Sequence, residues 1–121
     1  MTTALFTGRF DRPHCGHIHT IQQLGQQYDR VLVVVLDYKK QRYPVEYRAN
    51  ILSDILQYSK GNYEVMINSV NFEHADRNEI DRYTFDVYCS GNLTCCNKLM
   101  ALGYITRYID RSWDYEASKE S

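Results

Sequence analysis

The segment TGRFDRPHCGHIH, residues 7–19, gathers the side chains most able to do chemistry. His14 and His17 are three residues apart, so at the start of a helix they share one face. The free N–H groups and the positive end of the dipole at such a point favour an anion. Two imidazoles over that site can donate hydrogen bonds to phosphate oxygens, more strongly when protonated. Gly8 permits a tight turn with close backbone approach. The plain alternative is one surface histidine and one helix cap, and the pattern alone leaves both open. A second candidate is YKKQRYPVEYR, residues 38–48. Its Lys39, Lys40, Arg42 and Arg48 could meet a polyphosphate, or could be a solvated run of charge.

The four cysteines, at 15, 89, 95 and 96, show no disulfide-framework spacing. Cys95 and Cys96 are adjacent and cannot readily pair with each other. Free thiols in a reducing cytosol are the expectation. Cys15 between His14 and His17 invites a zinc reading. Three ligands crowded into four residues have no second cluster at a sensible spacing, so no protein-borne metal site is expected.

These residues need elements to place them. Residues 3–7, TALFT, read as a buried strand that stops at Gly8, and a helix is expected from about 16 to 27 through Ile18, Ile21 and Leu24. VLVVVL, residues 31–36, is apolar on both faces, as in a parallel sheet covered by helices. Pro44 suits a helix start, with Ile51, Leu52, Ile55 and Leu56 as its apolar stripe and Gly61 and Asn62 as its end. Strands follow at 63–67, 86–89 and 104–109, with a short helix around Ile80 and a longer one over 93–102. This βαβ order implies right-handed crossovers and a three-layer α/β/α sandwich. With no linker or internal repeat, residues 1–121 read as a single domain.

Composition limits the function classes. The chain has 121 residues, 44% hydrophobic and 24% charged, which excludes disordered and low-complexity classes. Its net charge of -1 argues against a nucleic-acid coat or a polybasic membrane anchor. The sum hides a division: residues 1–48 carry 7 basic and 4 acidic groups, and the remainder 7 and 11. An anion could therefore gather near the N-terminal half. No run reaches the roughly 18 apolar residues of a membrane span. No secretory signal is read, so a cytoplasmic protein is expected. Tyr is in excess, with 11 residues against 4 Phe and 1 Trp.

GRFDRPHCGH resembles the first signature of the nucleotidyltransferase superfamily that holds glycerol-3-phosphate cytidylyltransferase, nicotinamide-mononucleotide adenylyltransferase, phosphopantetheine adenylyltransferase and the archaeal FAD synthetases. Gly8, Phe10, Asp11, His14, Gly16 and His17 meet its fixed positions. The resemblance implies a five-stranded parallel, Rossmann-like sheet. It also implies joining of a nucleoside triphosphate's α-phosphorus to a phosphate on a second substrate, with pyrophosphate released. His14 and His17 would be catalytic, steadying charge on the transferring and bridging oxygens. Thr7, Gly8, Arg9, Phe10, Asp11 and Gly16 would complete the nucleotide-binding loop, with backbone N–H groups on the phosphates. Phe10 is expected to pack that loop and Asp11 to fix it. Magnesium would be carried mainly by the phosphates.

Lys40 resembles the catalytic lysine that glycerol-3-phosphate cytidylyltransferases carry ahead of their second helix, and Arg48 the nucleotide-binding arginine within it. Gly91 and Asn92 match the turn after the fourth strand, where nucleoside contact and helix capping are equal alternatives. Arg111 matches the arginine before the family's late Ser/Thr-rich signature. Ser118 is the one plausible hydroxyl of that signature, and its helix is expected to be truncated here. The nucleotide is expected to be CTP, with CMP passed to a small phosphorylated alcohol or polyol. An ATP-using adenylyltransferase is the first alternative, and a nucleotide-binding protein with weak or no catalysis the second. The resemblance also implies a homodimer.

Overall fold

A computed structural model describes residues 2–11, 13–69 and 72–109. Five strands and four helices alternate: β1 (Thr3–Gly8), α1 (Cys15–Gln27), β2 (Arg30–Leu36), α2 (Val45–Leu56), β3 (Tyr63–Asn68), α3 (Arg77–Ile80), β4 (Val87–Ser90), α4 (Leu93–Ala101) and β5 (Thr106–Tyr108). All strand pairs are parallel, in the order β3-β2-β1-β4-β5. The architecture is therefore the α/β sandwich implied by the alternation of strands and helices, with the five-stranded parallel, Rossmann-like sheet that the resemblance implies.

Alternation along each strand divides the core in two. Ala4, Phe6, Val31, Val33 and Val35 face α1 and α2, meeting Ile21, Leu24, Ala49 and Leu52. Leu5, Leu32, Val34 and Tyr88 face the other layer, meeting Phe72, Ile80, Cys95 and Leu99. Val31–Val35 are all buried because helices cover both faces, which is why β2 needs no polar residue in its middle.

Two elements, α2 and β5, differ from the sequence reading. The buried face of α2 is Val45, Arg48, Ala49, Leu52 and Leu56. Ile55 is on the exposed side of that stripe and Ile51 at its margin, one residue out of phase. The helix also closes at Leu56, well before Gly61, whose φ of 138° belongs to the turn into β3. β5 is only three residues long: Ile105 is exposed, while the Tyr104 hydroxyl leaves the strand direction to donate to Asp81 Oδ1 at 2.5 Å.

The order reverses at β1, which is flanked by β2 on one side and β4 on the other. β1 pairs with β2 through Gly8 but with β4 only through Phe6. The strands thus part at their C-terminal ends, and parallel α/β sheets place ligands in that kind of crevice.

Close packing fixes how α1 crosses the sheet. A Cβ added at Gly25 would be 2.1 Å from Tyr63 Oη and 2.6 Å from Cζ. That hydroxyl is itself tied to Lys60 O at 2.9 Å, so the ring has little freedom to withdraw. Gly25→Ala is expected to destabilise the fold by about 1–3 kcal/mol in urea titration, as overpacking does. Tyr63→Val in the same chain should recover part of that loss, a non-additivity that marks direct contact.

Candidate active site

The loop between β1 and α1 is built around a buried aromatic ring. Phe10 has φ of 47°, a left-handed conformation that costs a bulky residue energy and persists only where surroundings enforce it. Its ring is 3% exposed and meets Phe6 at 5.6 Å and His17 at 5.0 Å, edge-on in both cases. A Cβ at Gly8 would be 2.9 Å from that ring, so glycine lets the loop fold back on its own strand. Phe10 therefore packs the loop, as the sequence suggests.

The two histidines form the N-terminal cap of α1. His14 Nδ1 accepts from the Gly16 N–H at 3.1 Å, and His17 Nδ1 accepts from the His14 N–H at 3.2 Å. This is a capping box with imidazoles in place of the usual hydroxyl and carboxylate. The rings stack at 3.9 Å between centroids. With each Nδ1 accepting, the hydrogen-bond pattern assigns the ring proton of the neutral form to Nε2. Capping and phosphate donation, alternatives in the sequence, are thus compatible within one ring: Nδ1 serves the helix, and Nε2 is the nitrogen that carries a proton. The first turn of α1 holds no acidic residue to offset its positive end.

The loop after β2 is bolted to this one. Asp11 accepts from the Tyr38 hydroxyl and from the backbone N–H groups of Arg42 at 2.6 Å and Tyr43 at 3.1 Å. Burial would raise its pKa, but these bonds and the nearby Arg48 charge outweigh burial and hold the carboxyl below its usual range. Asp11 fixes the loop. Arg48 is fully buried beneath both loops. It donates to Tyr43 O and Leu36 O, each at 3.0 Å, and also to Arg9 O and the Gln41 side chain. The structure therefore places Arg48 under the site as a tie, where the sequence suggested a phosphate ligand. Two guanidinium groups stand over the Tyr38 ring, Arg9 at 4.7 Å and Arg48 at 5.5 Å from its centre. Lys39, Lys40 and Arg42 are exposed on the same loop.

At the end of β4, Asn92 is a helix cap: its Oδ1 accepts from Thr94 and Cys95 N–H at 3.0 and 3.3 Å, and its Nδ2 donates to Glu73. Gly91 is half-buried in the preceding turn. Thr7 turns its hydroxyl to Tyr88 Oη at 2.7 Å inside the second core layer. Its contribution to the loop is therefore its backbone. Burial raises the Tyr88 hydroxyl and pushes the Cys89 thiol up to about 12, so both stay neutral. Cys89, Cys95 and Cys96 are buried free thiols, and Cys15 is exposed beside the histidines. Arg111 and Ser118 lie outside the described residues. Among the described residues no three His, Cys, Asp or Glu side chains group to hold a metal ion. No helix among them is long and apolar enough to cross a membrane.

Sequence reasoning missed Tyr38 and Tyr88. Tyr38 had a signal in its position directly after a buried strand. The hydrogen bond from Tyr88 to Thr7, 81 residues away, had none.

A family model described as cytidylyltransferase-like matches residues 5–94, which include both loops and the start of α4. Among solved structures, a NadR protein in complex with NAD and AMP-PNP aligns with 98% of this chain at a TM-score of 0.75 and 20% identity. The chain spans 41% of that protein. A lipopolysaccharide core biosynthesis protein from Thermoplasma volcanium GSS1 aligns with 89% of this chain and 93% of its own, at a TM-score of 0.63 and 18% identity. At these identities the likeness is one of fold. No curated protein matches the chain significantly.

The Asp11 cluster carries a pH signature. A carboxyl whose folded pKa is depressed adds stability that is present above its unfolded pKa and lost as pH falls through the folded value. Stability should therefore decline below about pH 4. Asp11→Asn should be less stable at neutral pH and show a shallower acid decline in thermal melts at successive pH values. An unchanged acid decline would remove Asp11 from this role.

Proposed function

The chain belongs to the cytidylyltransferase-like family, and on that footing we propose that it is a nucleotidyltransferase acting on a nucleoside triphosphate and a small phosphorylated acceptor. The histidine cap carries the reading: two imidazoles that cap the helix through Nδ1 and carry their ring proton on Nε2, at a helix N-terminus with no acidic residue in its first turn, suit the charge of a reacting triphosphate. An acceptor phosphate oxygen attacks the α-phosphorus, and the bond to the bridging oxygen breaks. The β and γ phosphates leave as pyrophosphate, with no covalent enzyme intermediate.

His14 and His17 donate to the transferring and bridging oxygens, where charge grows. The backbone N–H groups of Gly8, Arg9 and Phe10 add donors, with Gly16 opening the helix behind them. Lys40 follows the polyphosphate as a mobile charge, with Lys39 and Arg42 as neighbours that could substitute. Thr7, Asp11 and Arg48 position the loops, and Gly91 and Asn92 border the nucleoside. Arg111 and Ser118 are assigned to the phosphates by resemblance alone. Magnesium, when bound, neutralises phosphate charge; an ion carried on phosphate oxygens and water needs no cage of side chains.

We take CTP as the donor and a phosphorylated alcohol or polyol as the acceptor. ATP is the second reading, favoured by the likeness to a NadR protein crystallised with AMP-PNP. A homodimer in the cytoplasm completes the proposal.

Pyrophosphate release from CTP or ATP with magnesium, across a panel of phosphorylated acceptors, tests it. Sustained release is expected, falling about 10²–10³-fold in His17→Ala, as when an oxyanion donor is removed. The variant should stay folded, losing about 1 kcal/mol with part of a cap. Nucleotide binding without turnover on any acceptor would instead favour a nucleotide-binding protein that does not catalyse.

A further inference from the structure

Two tyrosines beside the phosphate loop take no part in the core. Tyr43 and Tyr47 are 39% and 49% exposed, and their ring centres stand 5.7 Å apart at 38°. Scattered surface aromatics need no explanation, but this pair is held in place. The Tyr43 N–H donates to Asp11 Oδ1 at 3.1 Å, and its C=O accepts from Arg48 Nε at 3.0 Å. Tyr47 is in the first turn of α2, whose buried Val45 and Ala49 anchor that turn to the core. The backbone that carries both rings is thus fixed and the rings pack on each other, which lowers the ordering cost of binding.

The chemistry around them is selective. Exposed Lys39, Lys40 and Arg42 belong to the same segment, and Asp11 joins it directly to the β1–α1 loop. An aromatic face next to mobile cations suits a ligand with a ring and an anionic group. The 5.7 Å separation is already a contact distance for an aromatic pair, so a ligand ring has no room between them and would lie on the outer face.

We infer that Tyr43 and Tyr47 form a stacking platform for the acceptor, and that the acceptor is a phosphate monoester bearing a ring. This rests on the nucleotidyl-transfer reading and narrows it: ring-form sugar phosphates qualify, and open-chain glycerol phosphate does not.

Calorimetric titration of the full chain with magnesium and a non-hydrolysable CTP or ATP analogue comes first. Failure of both analogues to bind would overturn the nucleotidyl-transfer reading and this inference with it. With an analogue bound, ribose 5-phosphate, nicotinamide mononucleotide and glycerol 3-phosphate are then compared as probes. One or both ring probes should bind more tightly than glycerol 3-phosphate. A preference for ribose 5-phosphate would indicate a sugar face, and one for nicotinamide mononucleotide an unsaturated ring; either supports the platform.

Tyr47→Leu should weaken the ring probe about 5- to 150-fold, the range for loss of one stacking partner. Tyr47→Phe should retain its affinity, with analogue and glycerol 3-phosphate affinities unmoved in both. Equal binding of all three probes, or a ring preference that survives Tyr43→Leu and Tyr47→Leu, would overturn the inference while leaving nucleotidyl transfer intact. So would a Tyr47→Leu protein that changes from dimer to monomer in sedimentation with no change in ring-probe affinity.

Discussion

A single buried guanidinium holds the candidate active-site end of this protein together. Taking an arginine fully out of water is costly unless its donors are met. Arg48 meets them with Tyr43 O and Leu36 O, the Arg9 carbonyl and the Gln41 side chain. Those partners belong to the end of β2, the loop that follows it, and the loop after β1. The desolvation cost is thereby converted into a geometric constraint, because the charge can stay buried only while both loops keep their positions. Asp11 reinforces the tie from the outer side, and the Tyr38 ring packs against both Arg9 and Arg48.

That constraint supports a loop under strain. Phe10 keeps a positive φ because its ring is fixed between Phe6 and His17, with Gly8 leaving room beneath it. The same ring steadies His17, which with His14 caps α1 through Nδ1. Packing, capping and the proposed chemistry thus share a few atoms. A site arranged in this way would need little reorganisation during the proposed transfer, and such electrostatic preorganisation is the main physical source of catalysis in phosphoryl-type chemistry.

Much of this was legible in the chain. The β-branched run at 31–36 could be little else than a doubly covered strand, and the glycines and polar turns around it placed the neighbouring elements. The spacing of His14 and His17 placed both at a helix start. The burial of Arg48 was hidden for a physical reason: an arginine after Lys39, Lys40 and Arg42 looks like solvent-facing charge. Only the phase of α2 shows that it points inward with Val45, Ala49 and Leu52. Ile55 misled in the opposite direction, an apolar residue one position outside the buried stripe. The Tyr88–Thr7 bond had no local signal, since it depends on β1 and β4 lying side by side.

The histidine pair is the point on which the proposed function turns, and it can be observed directly. Long-range ¹⁵N–¹H correlation spectra of the imidazoles report which ring nitrogen holds the proton, with His19 and His74 as internal controls. The expected result is the Nε2–H form for His14 and His17 in the neutral free protein. Addition of nucleoside triphosphate and magnesium should then shift both Nε2 resonances and leave those of His19 and His74 in place. Nδ1–H forms for the pair, or a nucleotide that binds without moving either resonance, would contradict a phosphate site built on these two rings.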